Sequence, residues 1–114
     1  MKYALLIYPG TALEEFERMS EDEQRSTLGE YMALSREADV LGAQQLQPPE
    51  SATTVRVEDG KALTTDGPFA DTKEVVGGFY LVEADDLDRA LELAARIPAA
   101  RMGGAVEVRP LVER

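Results

Sequence analysis

The sequence contains neither cysteine nor histidine. Without cysteine there is no disulfide framework, no thiolate nucleophile and no cysteine-ligated metal. Without histidine the side chain that most often serves as a general base at neutral pH is missing. The chain also carries no phosphate-binding loop, dinucleotide fingerprint or zinc-protease motif. We therefore expect no metal and no cofactor.

Basic residues are few and scattered: 12 Lys and Arg stand against 22 Asp and Glu, which gives a net charge of −10. Phosphate and anionic-lipid surfaces are bound by clustered positive charge. The composition therefore argues against nucleic-acid and membrane partners, and we interpret the charge as solubility. The first apolar run ends at Tyr8, too early for a signal peptide or a membrane span, so we expect a cytoplasmic protein.

The 114 residues fit one domain, 1–114, because no linker or repeat interrupts the pattern. The spacing of the apolar residues, with Gly, Pro and Asp at the boundaries between segments, predicts strands and helices in alternation. The predicted strands are 2–8, 43–46, 53–58, 61–65, 79–84 and 106–112, and the predicted main helices are 21–41 and 86–97.

The helix boundaries are predicted from caps. Ser20 and Glu23 have capping-box spacing, Gly42 is a natural helix end, and Asp85 precedes the second helix. The predicted buried stripe of the first helix is Leu28, Tyr31, Met32, Ser35, Ala38 and Leu41, and that of the second is Leu87, Ala90, Leu91, Ala94 and Ile97.

Asp59-Gly60 between two β-rich runs is a strong hairpin signal. A two-residue loop would place Val55 and Val57 beside Ala62 and Thr64. A three-residue loop with a bulge would place them beside Leu63 and Thr65, and the sequence leaves both open.

The element order predicts an α+β fold, a ferredoxin-like split βαβ with an inserted β-hairpin. Its central strands, around Leu5 and Leu81, are apolar on both faces. Two helices cover only one face of a sheet, so a lone chain would expose an apolar patch. We therefore expect a homodimer with facing sheets.

Segment 65–74, TDGPFADTKE, followed by Gly-Gly-Phe-Tyr at 77–80, resembles the signature of the DGPF-motif branch of the YCII-related protein family. Segments 2–8, 46–49, 94–98 and 106–110 also resemble that family, so the likeness spans nearly the whole chain. It implies a ferredoxin-like fold that pairs into a dimeric α+β barrel. It also implies a largely unassigned function, with a His-Asp pair in many members and a link to extracytoplasmic-function sigma factors in the branch.

This sequence departs from that pattern, because Tyr31 stands where the helix histidine of other members is expected. Tyrosine titrates near pH 10 and is a poor base at neutral pH, but it can donate a hydrogen bond. Asp66 is then the candidate general base, with Tyr31 as donor; the alternative for Asp66 is an Asx turn. Lys73 either binds a substrate carboxylate or forms a surface ion pair.

Tyr8 and Tyr80 are candidate ligand-binding residues, with a place in the core as the alternative. Arg56 is either a ligand clamp or a cross-strand partner of an acid. Gly77-Gly78 either admits a ligand or lets the chain bend into the next strand.

Two functions follow as hypotheses. The first is a small-molecule-binding domain or weak acid–base enzyme, of isomerase or lyase type, that uses Asp66 and the tyrosines. The second is a non-catalytic regulatory or interaction protein linked to an extracytoplasmic-function sigma factor.

Overall fold

The structure, a computed structural model, describes residues 1–69 and 75–113. Its strands are β1 Lys2–Tyr8, β2 Val40–Gln45, β3 Thr53–Glu58, β4 Lys61–Asp66, β5 Gly78–Glu83 and β6 Ala105–Pro110. Its helices are α1 Ala12–Glu17, α2 Glu21–Ser35 and α3 Leu87–Ala95, with 3₁₀ turns at Pro49–Ser51 and Pro98–Arg101.

Four strands form an antiparallel sheet in the order β2-β5-β1-β6. This order agrees with a ferredoxin-like α+β fold and confirms that the two strands apolar on both faces are central. Tyr3, Leu5, Tyr80 and Val82 point to one face and are at most 4% exposed. That face packs against the helices, because its side chains share one core with residues of α1, α2 and α3.

The opposite face carries Ala4, Leu6, Phe79 and Leu81, which alternate with the buried residues along β1 and β5. All four are only partly buried, and none belongs to the helix-side core. Among the described residues, the helices that contribute to the core all lie on the other side. We call this second surface the open face.

Helix α2 is shorter than predicted and turned differently. It ends at Ser35, and Gly42 lies inside β2, next to a register shift, rather than at a helix end. The buried positions are Thr27 and Leu34, whereas Leu28 and Met32 are 52% and 53% exposed. The stripe prediction was right for Tyr31, which packs against the core, and wrong for Leu28 and Met32, which face outward. Thr27 tolerates burial because its hydroxyl donates to the Glu23 carbonyl at 2.9 Å.

Helix α3 also differs in detail. Asp86, not Asp85, caps it by accepting from the Arg89 N–H at 2.9 Å. Leu93 is fully buried, whereas Leu87 and Leu91 are 48% and 46% exposed. The predicted stripe was right for Ala90, Ala94 and Ile97, which are buried, but it missed Leu93. At the start of α2, by contrast, the capping box of Ser20 and Glu23 is present as predicted.

Strands β3 and β4 form a separate two-stranded sheet. Val57 pairs with Ala62 and Glu58 with Lys61, so the hairpin has the two-residue loop. Asp59 and Gly60 have φ of 51° and 76°, the positive values that a type I′ turn requires. The radius of gyration, 16.1 Å, exceeds the roughly 13 Å of a compact domain this long, and the molecule is correspondingly extended, 50 × 40 × 19 Å.

Across the described ranges, no helix has the length and apolarity that a bilayer crossing demands.

Candidate functional site

A cavity of about 600 Å³ lies at the end of the sheet where β1 finishes and β6 begins. It is lined by Tyr8, Gly10, Gly103, Gly104, Ala105, Val106 and Glu107. The register pairs Tyr8 with Ala105, and both side chains belong to the open face. The volume lies within the range typical of small-molecule sites.

Three glycines build one wall by letting two loops touch. Gly10 and Gly103 have positive φ, 53° and 84°. A Cβ on Gly10 would lie 2.2 Å from the Gly103 carbonyl oxygen, and one on Gly104 would lie 2.5 Å from the Tyr8 carbonyl oxygen. The loop after β1 is thereby packed directly on the loop before β6, and the glycines are explained by this contact.

The polar side of the cavity is formed by Tyr8 and Glu107, and Arg109 in turn holds Glu107. The Tyr8 hydroxyl donates to Glu107 Oε1 at 3.2 Å, and Arg109 Nε donates to Glu107 Oε2 at 2.8 Å. A second Arg109 nitrogen donates to the same oxygen. The bond from Arg109 lowers the pKa of the Glu107 carboxyl, with a smaller lowering from the Tyr8 bond. Glu107 is therefore an anion at neutral pH, and it holds the Tyr8 hydroxyl in place.

The described end of the signature segment reaches the same end of the sheet. The Gly77 N–H donates to the Ile7 carbonyl at 2.8 Å, and the Leu46 N–H donates to the Gly77 carbonyl at 2.9 Å. A Cβ on Gly77 would lie 2.9 Å from Pro9 Cγ, and one on Gly78 would lie 2.9 Å from the Gln44 carbonyl oxygen. The glycine pair thus permits close approach of the chain to itself.

Tyr31 and Tyr80 meet each other on the helix side of the sheet. The Tyr80 hydroxyl donates to the Tyr31 carbonyl oxygen at 3.2 Å. Desolvation raises the pKa of both hydroxyls, and a hydrogen bond with the Ala99 backbone partly opposes this for Tyr31. Both therefore stay protonated at neutral pH and belong to the core region, on the opposite side of the sheet from Tyr8.

Asp66 and Arg56 lie on the hairpin, and both are exposed. Arg56 is 3.8 Å from Glu58 and its guanidinium carbon lies 5.6 Å from the centre of the Phe69 ring. Within the described residues, no hydrogen bond or ion pair joins Asp66 to Tyr31. Lys73 lies outside the described residues.

The sequence interpretation missed Glu107, which accepts from Tyr8, and Arg109, which donates to Glu107. Both alternate with valines in a terminal strand, so the period of two would have placed them together on the face opposite the valines. Without knowing that β6 neighbours β1, nothing in the sequence pairs them with Tyr8.

A second cavity, of about 390 Å³, is lined mainly by acids between β5 and α3. Arg89 pairs with two of its acids, since it donates to Asp39 at 3.0 Å and to Glu92 at 3.2 Å. Within residues 1–69 and 75–113, no three His, Cys, Asp or Glu side chains gather as a metal site would require.

The YCII-related domain family matches residues 1–114. A relative from Rhizobium meliloti (strain 1021) is described as uncharacterized protein R00369. It is 38% identical over an alignment 116 residues long, and the alignment covers 97% of this chain and 92% of the relative. The chain belongs to the YCII-related domain family.

Proposed function

We propose that this protein is a small-molecule-binding domain of the DGPF branch, working as a homodimer, with its ligand in the Tyr8 cavity. The observation that carries the proposal is the cavity itself. It joins an ionised carboxylate and a fixed tyrosine hydroxyl to a glycine-packed wall. A few placed polar groups on a largely preformed wall are typical of ligand sites.

The groups present favour a ligand with hydrogen-bond donors. Glu107 is an acceptor with its charge balanced by Arg109. The Tyr8 hydroxyl donates to Glu107 and so orients that carboxylate at the cavity. A small neutral molecule with hydroxyl or amide groups matches this arrangement.

Binding is better supported than acid–base catalysis within one subunit. A catalytic carboxylate is expected inside a pocket that shields the reacting atoms from water, and Asp66 is exposed. Tyr31, its proposed donor, lies among the residues packed against the helix-side core.

The dimer is proposed from the open face. Ala4, Leu6, Phe79 and Leu81 form an apolar strip on the two central strands. In a dimeric α+β barrel the second copy would cover the strip of each subunit and remove both strips from water, and apolar burial stabilises by about 25 cal/mol per Å². It would also enclose the cavity, whose Tyr8 side lies on that face.

A thermal-shift screen of neutral metabolites tests the proposal. A ligand at 100 times its Kd should stabilise the protein by about 2.7 kcal/mol. Glu107→Gln should weaken binding by roughly 10- to 100-fold, since a hydrogen bond to a charged group contributes about 1.5–3 kcal/mol.

The matched control is Glu83→Gln. Glu83 lies on the same face of the sheet, paired with Lys2 at the other end of β1. Its replacement by Gln should leave the ligand affinity unchanged. Ligands that bind wild type and Glu107→Gln equally well would place the site elsewhere.

A further inference from the structure

The hairpin is an arm with two unlike faces. The register places Thr53, Val55, Val57, Ala62 and Thr64 on one side, with Asp66 at the base, and we call these five residues the neutral face. The other side carries Arg56, Glu58 and Lys61 together with Leu63. Alternation of apolar and charged residues is typical of a strand pair with one buried face.

In a single chain this neutral face is not buried. Val55 and Val57 are 60% and 69% exposed, and beside the hairpin Phe69 is 74% exposed. An isolated two-stranded hairpin is marginally stable at best in water. The residue pattern predicts a buried face, whereas this face is exposed in the single chain. The two agree only if another surface covers the arm.

We infer that the neutral face of the hairpin docks on the open face of a second copy and closes that copy's Tyr8 cavity. The inference rests on the proposed function, and it adds that each site is completed by the other subunit. The occupant is a second copy because this chain itself presents an apolar surface that the helices leave uncovered: the strip of Ala4, Leu6, Phe79 and Leu81 on the two central strands of the open face.

The dimensions fit. Six-residue strands are about 20 Å long, and the axes of the outer strands of a four-stranded sheet lie about 14 Å apart. The arm can therefore cross a partner's sheet from one edge to the other. It starts at the end of the sheet where β2 finishes and β5 begins, which is also the end that holds the cavity.

The neutral face supplies apolar area as well. Val55 and Val57 are 60% and 69% exposed, and with Ala62 they present on the order of 200 Å² of apolar surface, since burying a Val side chain removes roughly 100 Å² from water. The open face adds a further amount. A standard interface buries about 800 Å² on each partner, a little over half of it apolar. One arm and one open face thus supply a large part of the apolar area that a stable dimer buries.

Because the chain has no cysteine, cross-linking tests the contact directly. Val57→Cys on one tagged chain and Ala105→Cys on another are co-expressed and treated with a short bismaleimide. We expect a cross-link between the two tagged chains. The control pairs Ala105→Cys with Leu87→Cys, which is equally accessible at 48% exposure but lies on the helix layer, and it should give none.

A second measurement uses Val57→Asp. Val57 is exposed in the single chain, so the subunit should still fold, as circular dichroism will show, while the dimer dissociation constant rises at least tenfold in sedimentation. Leu87→Asp should leave it unchanged.

The outcomes separate the two proposals. A dimer in which Val57 and Ala105 do not cross-link overturns the docked arm and leaves the ligand site of one subunit standing. A protein that is monomeric at micromolar concentration overturns the arm and the homodimer together. If a monomeric protein still binds a ligand, the ligand site in the Tyr8 cavity stands, and the homodimer and the docked arm are both wrong.

Discussion

The contact between the loops after β1 and before β6 should depend on the lack of a side chain at Gly10. In Gly10→Ala the new Cβ would meet the Gly103 carbonyl oxygen at 2.2 Å and the Gly104 Cα at 3.2 Å. These are backbone atoms, which cannot swing aside. The residue also has φ of 53°, which costs a non-glycine residue about 1–2 kcal/mol.

Two other glycines separate these effects. Gly60 has φ of 76° but nothing within 4 Å of its Cβ position, so Gly60→Ala should cost at most about 1–2 kcal/mol. Gly29 lies inside α2 with ordinary φ and the same empty surroundings. Gly29→Ala should therefore stabilise by about 0.5–1 kcal/mol. Gly10→Ala combines strain with collision, and we expect a loss of about 3 kcal/mol or more.

The assay is denaturant unfolding of all three variants at one protein concentration, so that subunit association is held constant. Stability should fall in the order Gly29→Ala, wild type, Gly60→Ala, Gly10→Ala. If Gly10→Ala is as stable as Gly60→Ala, the loops are not in backbone contact, and the proposed cavity wall is wrong. Ligand affinity should fall with Gly10→Ala and not with Gly29→Ala.

Two further predictions concern the core and the cavity. Leu93→Ala should lower the free energy of unfolding by about 2–5 kcal/mol, because Leu93 is fully buried. Leu91 is 46% exposed, so Leu91→Ala should cost less than about 1 kcal/mol in the same unfolding assay. Equal losses would show that Leu91 is buried, as the sequence predicted. Because the folded-state pKa of Glu107 is lowered, its contribution to stability is present above its unfolded pKa of about 4.5 and is lost as pH falls through the folded value. The stability gap between wild type and Glu107→Gln should therefore narrow between pH 5 and pH 3, and a gap that is constant with pH would show that the ion pair does not couple to folding.

Local signals were sufficient for much of the fold. The capping box at Ser20 forms as predicted because both of its hydrogen bonds lie within four residues. The Asp59-Gly60 turn forms for the same reason, although the sequence left its loop length open. Leu5 and Leu81 lie on central strands, where side chains of neighbouring strands flank the apolar residues on both faces and help to shield them from water.

The errors arose where the buried side or the type of an element depends on another element that packs against it or pairs with it. Leu28 and Met32 repeat at helical spacing as well as Thr27 and Leu34 do, and only the sheet selects which row is buried. Gly42 resembles a helix end in isolation, yet pairing with Leu81 makes it part of a strand. In both cases the deciding energy is a contact with a distant part of the chain.

The sequence by itself determined the α+β class, the order of the elements, the hairpin and the chemistry excluded by the absence of cysteine and histidine, since these follow from composition and short-range geometry. Only the tertiary structure decided that Tyr8 meets Glu107, across 99 positions of the chain, and that Tyr31 and Asp66 lie on different parts of the molecule. A site is a set of distances between side chains, and in an antiparallel sheet those distances are set by strand order and register.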